Sequence, residues 1–256
     1  MLRWLGAPDP SSNHNAACAA HSPTTGNWLL TSDAFKLWWA SPNELLWIYG
    51  LPGCGKSVLA STIIEHVSAL CEDTPHRNLL YFYFDFIEEM KQTIDGFLRS
   101  LLVQQACRGP EFPSEVQDLY TQCESKHQQP TISDLIDVFI SLLGRSQHTY
   151  LIIDALDECS SKHSPERKGM LSLVKKIKEE TAISINVLIL SRAELDIEKG
   201  LRSVISHKVG IQDEIVDADI MVHVRSELAN DARLKDRSPS IKAEIETSLV
   251  DGAHGM

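Results

Sequence analysis

With 256 residues, of which 43% are apolar and 23% charged, the chain has an ordinary globular composition and is long enough for one large domain or two small ones. Its formal net charge of −11 argues against a general binder of nucleic acid or of anionic membranes. No apolar run approaches the roughly eighteen residues of a membrane helix, and the N-terminus lacks the apolar centre of a signal peptide.

The composition of residues 1–43 predicts an N-terminal arm followed by a short helix. Residues 1–27 are rich in Ser, Asn, Ala, Pro and His, which is typical of an extended segment, and Ser32 or Asp33 then caps the short helix. All five tryptophans precede residue 50. We favour the interpretation that these aromatic residues dock the arm onto the core; the alternative is that the arm covers a bound base.

The cysteines predict neither a disulfide framework nor a metal site. Six cysteines are spread along the chain without a CxxC pair, which fits the reduced thiols of a cytoplasmic protein. His14, Cys18 and His21 are possible metal ligands close together in sequence, but no fourth partner is apparent. We therefore interpret them as part of a polar N-terminal segment.

The apolar pattern of residues 44–211 predicts a core in which strands alternate with helices. The predicted strands lie at 45–49, 79–84, 150–153, 185–190 and 204–211. This alternation indicates an α/β fold of three layers, with a parallel sheet covered by helices on both faces. Residues 212–256 continue with a helical pattern, and we expect them to be the truncated start of a helical domain.

The strongest motif comes directly after the first predicted strand. From Gly50 to Ser57 the residues read Gly-Leu-Pro-Gly-Cys-Gly-Lys-Ser, which is the Walker A pattern of a phosphate-binding loop. Glycines allow a tight turn in which successive backbone N–H groups face one anion, and the helix that follows adds its positive end. The pattern predicts that Lys56 reaches the β- and γ-phosphates and that Ser57 ligates Mg²⁺. The residues predicted to bind nucleotide are Gly50, Gly53, Cys54, Gly55, Lys56, Ser57 and Val58.

Acidic residues come at the end of the third predicted strand. A carboxylate in the position of Asp154 can hold Mg²⁺ directly or through water, so we predict Ser57 and Asp154 as the metal ligands. Asp157 and Glu158, a few residues later, are the candidates for orienting a water towards the γ-phosphate. The phosphate-binding loop, Asp154 and Arg192 each follow a predicted strand. Because ligands of parallel sheets bind beyond the carboxyl ends of the strands, we expect all three at one edge.

Three stretches together resemble fungal NACHT-type NTPases and the nephrocystin-type N-terminal P-loop domain of fungal receptor-like proteins. They are Thr-Gly-Asn-Trp-Leu-Leu at 25–30, Leu-Trp-Ile-Tyr-Gly at 46–50 and Asp-Ala-Leu-Asp-Glu-Cys at 154–159. The resemblance extends over residues 24–256. It implies a P-loop sheet of the additional-strand type, in which a sensor strand lies between the Walker A strand and the Walker B strand that ends at Asp154.

The resemblance also implies roles for individual residues. Residues 189–194 are similar to the sensor 1 segment, in which an arginine reads the γ-phosphate, and the matching residue is Arg192. The catalytic acid of the family lies in the pair Asp157 and Glu158, and Glu158 matches the usual place of the water-orienting glutamate. The sequence departs from many relatives at Ala193, where they have proline. The winged-helix region and the ligand-sensing repeats of such proteins have no counterpart in this sequence.

We therefore expect a cytoplasmic P-loop NTPase module that binds Mg²⁺ with ATP or GTP and hydrolyses it slowly as a regulatory switch of a NACHT/NLR-like protein. Its expected partners are the nucleotide and either a second copy or other domains of a larger receptor, but not nucleic acid. One alternative is a non-catalytic interaction scaffold that nucleotide stabilises. The other is a P-loop kinase for a small molecule, although the sequence shows no acceptor pocket or lid arginines. The absence of an Asn-Lys-x-Asp motif favours ATP over GTP.

Overall fold

Five parallel strands and twelve α-helices make up the part of the chain that the computed structural model describes, which is residues 2–72, 74, 77–108, 112–161, 164–211, 213–231, 233–234 and 236–253. The strands are β1 (Leu45–Tyr49), β2 (Arg77–Tyr83), β3 (His148–Asp154), β4 (Ile185–Ser191) and β5 (His207–Gly210). The helices are α1 (Leu2–Leu5), α2 (Ser11–Ala20), α3 (Asn27–Thr31), α4 (Asp33–Ala40), α5 (Lys56–Glu72), α6 (Ile94–Ala106), α7 (Ser114–Lys126), α8 (Ile132–Gly144), α9 (Pro165–Glu179), α10 (Leu195–Leu201), α11 (Asp213–Asn230) and α12 (Pro239–Ala253). Short 3₁₀ turns lie at Glu89–Gln92 and Leu156–Glu158.

The strands form one sheet in the order β2-β3-β4-β1-β5, and every neighbouring pair is parallel. Strand β4 therefore lies between β1, which leads into the phosphate-binding loop, and β3, which ends at Asp154. This confirms the predicted order with an additional strand in the middle. The carboxyl ends of β1, β3 and β4 meet at one edge of the sheet, as predicted for a nucleotide site.

The core consists of two apolar layers, one on each face of the sheet. Successive side chains of a strand point to opposite faces, so Leu45 and Trp47 join one layer while Leu46 and Ile48 join the other. Residues of α6, α8 and α9 cover the first face, and residues of α3, α4 and α5 cover the second. The indole of Trp38, which is fully buried, donates a hydrogen bond to the carbonyl oxygen of Val187 at 2.9 Å. The predicted three-layer α/β fold is confirmed.

Local signals in the sequence locate several element ends correctly. Ser32 caps α4 by accepting a hydrogen bond from the backbone N–H of Phe35. Thr131 and Asp134 form a reciprocal capping box at the start of α8. Strand β2 begins two residues before the predicted start. Strand β5 is only four residues long, because its pairing with β1 runs only from His207 to Gly210.

The prediction of an extended arm for residues 1–27 is wrong, since the segment forms the helices α1 and α2. The composition of α2 has little intrinsic helix preference, and tertiary contacts decide its conformation. His14 is buried against the sheet, where it contacts the hydroxyl of Tyr83, and Arg99 donates to the carbonyl oxygen of Leu5 at the end of α1. Both partners, Tyr83 and Arg99, are too far from the arm in sequence for a local pattern to reveal them.

The last two described helices, α11 and α12, pack on each other. Val224 and Leu228 of α11 are buried, while Ile241 and Leu249 of α12 are about half exposed. Residues 212, 232, 235 and 254–256 of the predicted helical segment lie outside the described residues. All six cysteines are free, and among the described helices none is both long and apolar enough to cross a membrane.

Candidate functional site

The phosphate-binding loop, residues 50–57, turns sharply between β1 and α5. Gly53 and Gly55 both have φ near +80°, a left-handed conformation that only glycine adopts without strain. At Gly50 an added Cβ would lie 2.7 Å from the sulfur of Cys54, so this position requires close approach. The first hydrogen bond of α5 runs from the N–H of Leu59 to the carbonyl of Gly55, which leaves the amides of residues 56–58 at the helix N-terminus for an anion.

The side chain of Lys56 folds back over this loop. Its ammonium nitrogen donates to the carbonyl oxygens of Leu51 at 2.6 Å and Gly50 at 3.2 Å. It also lies 3.7 Å from the sulfur of Cys54. These uncharged acceptors keep the ammonium group of Lys56 at the entrance of the loop. From there the ammonium can donate to a phosphate oxygen in place of a carbonyl oxygen.

Ser57 and Asp154 lie together at the start of α5 and the end of β3. Asp154 is 2% exposed, and the Ser57 hydroxyl is close enough to act on the pKa of its carboxyl group. Burial raises the pKa of Asp154 to about 6, although the Ser57 hydroxyl, the Ala155 amide and the charge of Lys56 all act in the opposite direction. The Oδ1 atom of Asp154 is buried without a hydrogen-bond partner in the described part of the chain. An orphaned carboxylate oxygen beside a hydroxyl is a donor set that fits Mg²⁺.

Asp157 and Glu158 point in different directions from one 3₁₀ turn. Asp157 is directed at the predicted sensor residue: its two carboxylate oxygens accept from the backbone N–H and from Nε of Arg192, each at 3.0 Å. The side chain of Asp157 is 5% exposed, whereas that of Arg192 is half exposed. The geometry indicates that Asp157 orients Arg192, so that only Glu158 of the pair is left to face another group.

Glu158 accepts a hydrogen bond at 3.0 Å from the backbone N–H of Phe86, in the loop that follows β2. Burial raises the pKa of Glu158 above its ordinary value, and the neighbouring carboxylates of Asp157 and Asp85 add to the effect. A carboxylate with a raised pKa is better suited to take a proton from water at neutral pH.

The loop after β2 is in turn held by the N-terminal arm. Lys91, which is 2% exposed, donates to Asn13 at 2.6 Å and pairs with Glu88 at 2.8 Å, and Asn13 donates to Asp85 at 2.9 Å. Helix α2 therefore supports the loop whose backbone contacts Glu158. Sequence reasoning missed these residues, because nothing in the local pattern marks Lys91 as buried.

Arg167 is a second residue that the sequence did not reveal. It is 1% exposed, and its guanidinium donates to the carbonyl oxygens of Asp157, Cys159 and Ser160. It also contacts the carboxylates of Glu194 at 3.1 Å and Asp196 at 3.4 Å. Arg167 thus joins the segment after β3 to the segment after β4. A single arginine inside an amphipathic helix carries no local signal of this role.

A cavity of about 240 Å³ adjoins the phosphate-binding loop. Three parts of the chain line this cavity: the arm, the loop together with α5, and the segment from β5 to α11. The lining residues are Ala20, Ser22, Thr25, Gly26, Trp28, Gly53, Cys54, Gly55, Val58, Leu59, Thr62, Ile211, Asp219, Ile220 and His223. Asp219 accepts from the backbone N–H of Gly26 at 2.9 Å, and Ser22 contacts Nδ1 of His223 at 2.6 Å. The predicted docking of aromatic residues onto the core is seen at Trp38, which packs on the sheet, while Trp28 lines this cavity.

Every residue predicted to bind nucleotide or metal lies at this edge of the sheet, within the loop, in the first turn of α5 or at the end of β3. The amides and glycines of the loop, Ser57, Asp154, Asp157 and Arg192 are brought together as expected. The sequence did not identify Asp219 and His223 as part of the same region, although both lie in the segment that it predicts to be helical.

Comparison with known proteins identifies relatives for most of the chain. The model of the family described as "Nephrocystin 3, N-terminal" matches residues 24–192. The vegetative incompatibility protein HET-E-1 of Podospora anserina is 28% identical over 220 residues, which are 84% of this chain. The same region spans only 15% of the length of that relative.

Solved structures agree on the fold. The ORC2 protein of Aeropyrum pernix, described in its ADPNP–ADP complexes, superimposes with a TM-score of 0.50 at 13% identity. The match covers 82% of this chain and 62% of the ORC2 chain. Together with the five-stranded parallel sheet, this likeness supports the predicted α/β P-loop NTPase fold.

Proposed function

Because the chain belongs to the nephrocystin 3 N-terminal family, as a NACHT-type domain with a P-loop NTPase fold, we propose that it binds a nucleoside triphosphate with Mg²⁺ and hydrolyses it slowly as a regulatory switch. One observation carries the proposal. The buried Oδ1 of Asp154 lacks a partner within the described part of the chain, and it lies beside the Ser57 hydroxyl at the start of the helix that follows a Walker A loop.

The residues of the loop and of the strand ends have separate roles in this proposal. Backbone amides from Gly53 to Ser57 and the ammonium of Lys56 hold the phosphate oxygens. Ser57 and Asp154 hold Mg²⁺, which when bound neutralises charge on the β- and γ-phosphates. Binding requires Lys56 to release the carbonyl of Leu51, so the loop changes its internal hydrogen bonds when phosphate enters.

Glu158 orients and deprotonates the attacking water, and Asp157 acts by positioning Arg192, which senses the γ-phosphate. Support comes from the two hydrogen bonds between Asp157 and Arg192 and from the raised pKa of Glu158. In this assignment Glu158, and not Asp157, is the acid that orients the water. Switching follows if the Asp157–Arg192 pair rearranges when the γ-phosphate is lost.

We propose adenine as the preferred base. The cavity beside the loop has apolar walls from Trp28, Val58, Leu59 and Ile211, which suit a flat ring, and the Asp219 carboxylate lies in its lining. The structural neighbour ORC2 carries adenine nucleotides by its description, and the present sequence has no GTPase-type base motif. Comparison of ATP and GTP affinities by titration tests the base directly.

Steady-state phosphate release, measured beside equilibrium nucleotide titration, tests the function itself. Glu158→Gln should leave triphosphate affinity within a few-fold while hydrolysis falls by about 10²–10⁴-fold. Asp157→Asn is the matched change one residue away, and it should lower hydrolysis less. If Asp157→Asn abolishes release and Glu158→Gln does not, the two roles are reversed. Binding without any release in the wild type would favour the scaffold alternative, and phosphate transfer to a metabolite would favour the kinase.

Because this chain spans a small part of its curated relative, its place in a larger protein is also a proposal. We propose that other domains of a NACHT/NLR-like receptor, or a second copy of this module, contact it and respond to the bound nucleotide. Light scattering of the protein with ADP and with a non-hydrolysable triphosphate would reveal self-association that depends on the nucleotide.

A further inference from the structure

A second cluster of potential ligands lies away from the phosphate-binding loop, between α2, α5 and β2. His14 and Cys18 are four residues apart on α2, so they share one face of that helix. Glu65 of α5 faces them. The ligand atoms of these three side chains all lie within 4.8 Å of one another. Tertiary structure thus supplies a partner that was not apparent near His14 and Cys18 in the sequence.

The distances in this cluster are close to those of a tetrahedral metal site. Nε2 of His14 is 2.9 Å from Oε1 of Glu65 and 3.6 Å from the sulfur of Cys18. With metal bonds of about 2.0 Å to nitrogen and oxygen and about 2.3 Å to sulfur, the corresponding tetrahedral edges are about 3.3 and 3.5 Å. The third pair, the Cys18 sulfur and a Glu65 carboxylate oxygen, lies within 4.8 Å, compared with a tetrahedral edge of about 3.5 Å, and the Glu65 side chain, which is 67% exposed, has room to rotate.

The other nitrogen of His14 has the contact that metal-binding histidines usually need. Nδ1 lies 3.0 Å from the hydroxyl of Tyr83, which is buried. If Nδ1–H donates to that oxygen, the lone pair of Nε2 points between Cys18 and Glu65, and the ring is held in this orientation. His21 does not join the cluster, since its Nε2 contacts the carbonyl of Thr25 at 3.1 Å.

The geometry points to a binding site for one Zn²⁺ ion formed by His14, Cys18 and Glu65, with water in the fourth position. Imidazole, thiolate and carboxylate together match the ligand preference of Zn²⁺, whereas Mg²⁺ prefers oxygen ligands and would not compete. Binding deprotonates the Cys18 thiol and forms the Zn–S bond, so one proton leaves to solvent. The ion would fasten α2 to α5, the helix that begins at the phosphate-binding loop.

Zinc titration of the full, reduced chain against a chromophoric chelator tests this site. We expect one equivalent to bind with a dissociation constant below roughly 1 µM, weaker than four-ligand structural zinc sites. Cys18→Ser and Glu65→Gln should each weaken binding at least about tenfold. Cys107→Ser is the matched control, because Cys107 is an exposed free thiol far from the cluster in sequence and should have no effect. Circular dichroism of each variant checks that the fold is retained.

Cobalt substitution gives a second readout that does not depend on affinity. The Co²⁺ form should show a thiolate-to-metal charge-transfer band and the visible bands of a tetrahedral ion, and the charge-transfer band should disappear in Cys18→Ser but persist in Cys107→Ser. Zinc binding of equal strength in Cys18→Ser and the wild type would overturn the proposal. So would the absence of binding, which would mean that His14 and Glu65 form an ion pair only.

Discussion

Replacement of Arg167 tests whether this buried arginine joins the two strand-end segments of the site. In Arg167→Met the side-chain volume is largely kept, but the guanidinium that reaches Asp196 and the carbonyl oxygens of Asp157 and Cys159 is lost. Removing one partner of a buried ion pair costs about 3–5 kcal/mol of the free energy of unfolding. For a chain of this size that lowers Tm by roughly 6–20 °C.

The matched control is Arg145→Met, which removes an arginine from a salt bridge to Glu115 on the surface. Arg145 has a side chain that is 58% exposed, and such pairs contribute about 0–1 kcal/mol. Both variants are compared with the wild type by urea and thermal unfolding. Arg167→Lys should recover only part of the lost stability, because a single ammonium group cannot donate to all the acceptors that the planar guanidinium reaches. If Arg167→Met unfolds within about 1 kcal/mol of Arg145→Met, the proposed structural role of Arg167 is refuted.

Three further predictions concern the phosphate site and pH. Lys56→Ala should remove about 1.5–3 kcal/mol of charge-assisted phosphate binding, which is a roughly ten- to hundredfold loss of triphosphate affinity by calorimetric titration; unchanged affinity would contradict the phosphate-binding loop. Asp154→Asn should reduce both Mg²⁺-dependent binding and phosphate release, while binding measured in EDTA should change little. Burial lowers the pKa of His148 from 6.5 to about 4, so the unfolded chain takes up a proton that the folded chain excludes. Stability should therefore fall as the pH drops from 6.5 to 4, and the Tm of His148→Gln should depend less on pH over that interval; parallel curves would count against this cause.

The contrast between Asp157 and Glu158 shows where sequence reasoning stops. Their position after a buried strand indicates that one of them acts at the γ-phosphate, and their adjacency indicates that they point apart. Which one faces Arg192 depends on the turn that begins at Ala155, whose φ is +51°. A left-handed residue of this kind is uncommon outside glycine, and no local pattern in the sequence predicts it.

The sequence by itself determined the parallel sheet, the loop that begins at Gly50 and the carboxylate of Asp154, because strand periodicity and glycine spacing are local properties of the chain. For the same reason it limited the cap of α4 to Ser32 or Asp33, of which the structure shows Ser32. Only the tertiary structure decided the helical form of the arm, the buried positions of Lys91 and Arg167, and the meeting of His14 with Glu65. Each of these depends on contacts between residues distant in sequence, where burial and pairing of polar groups outweigh intrinsic preference.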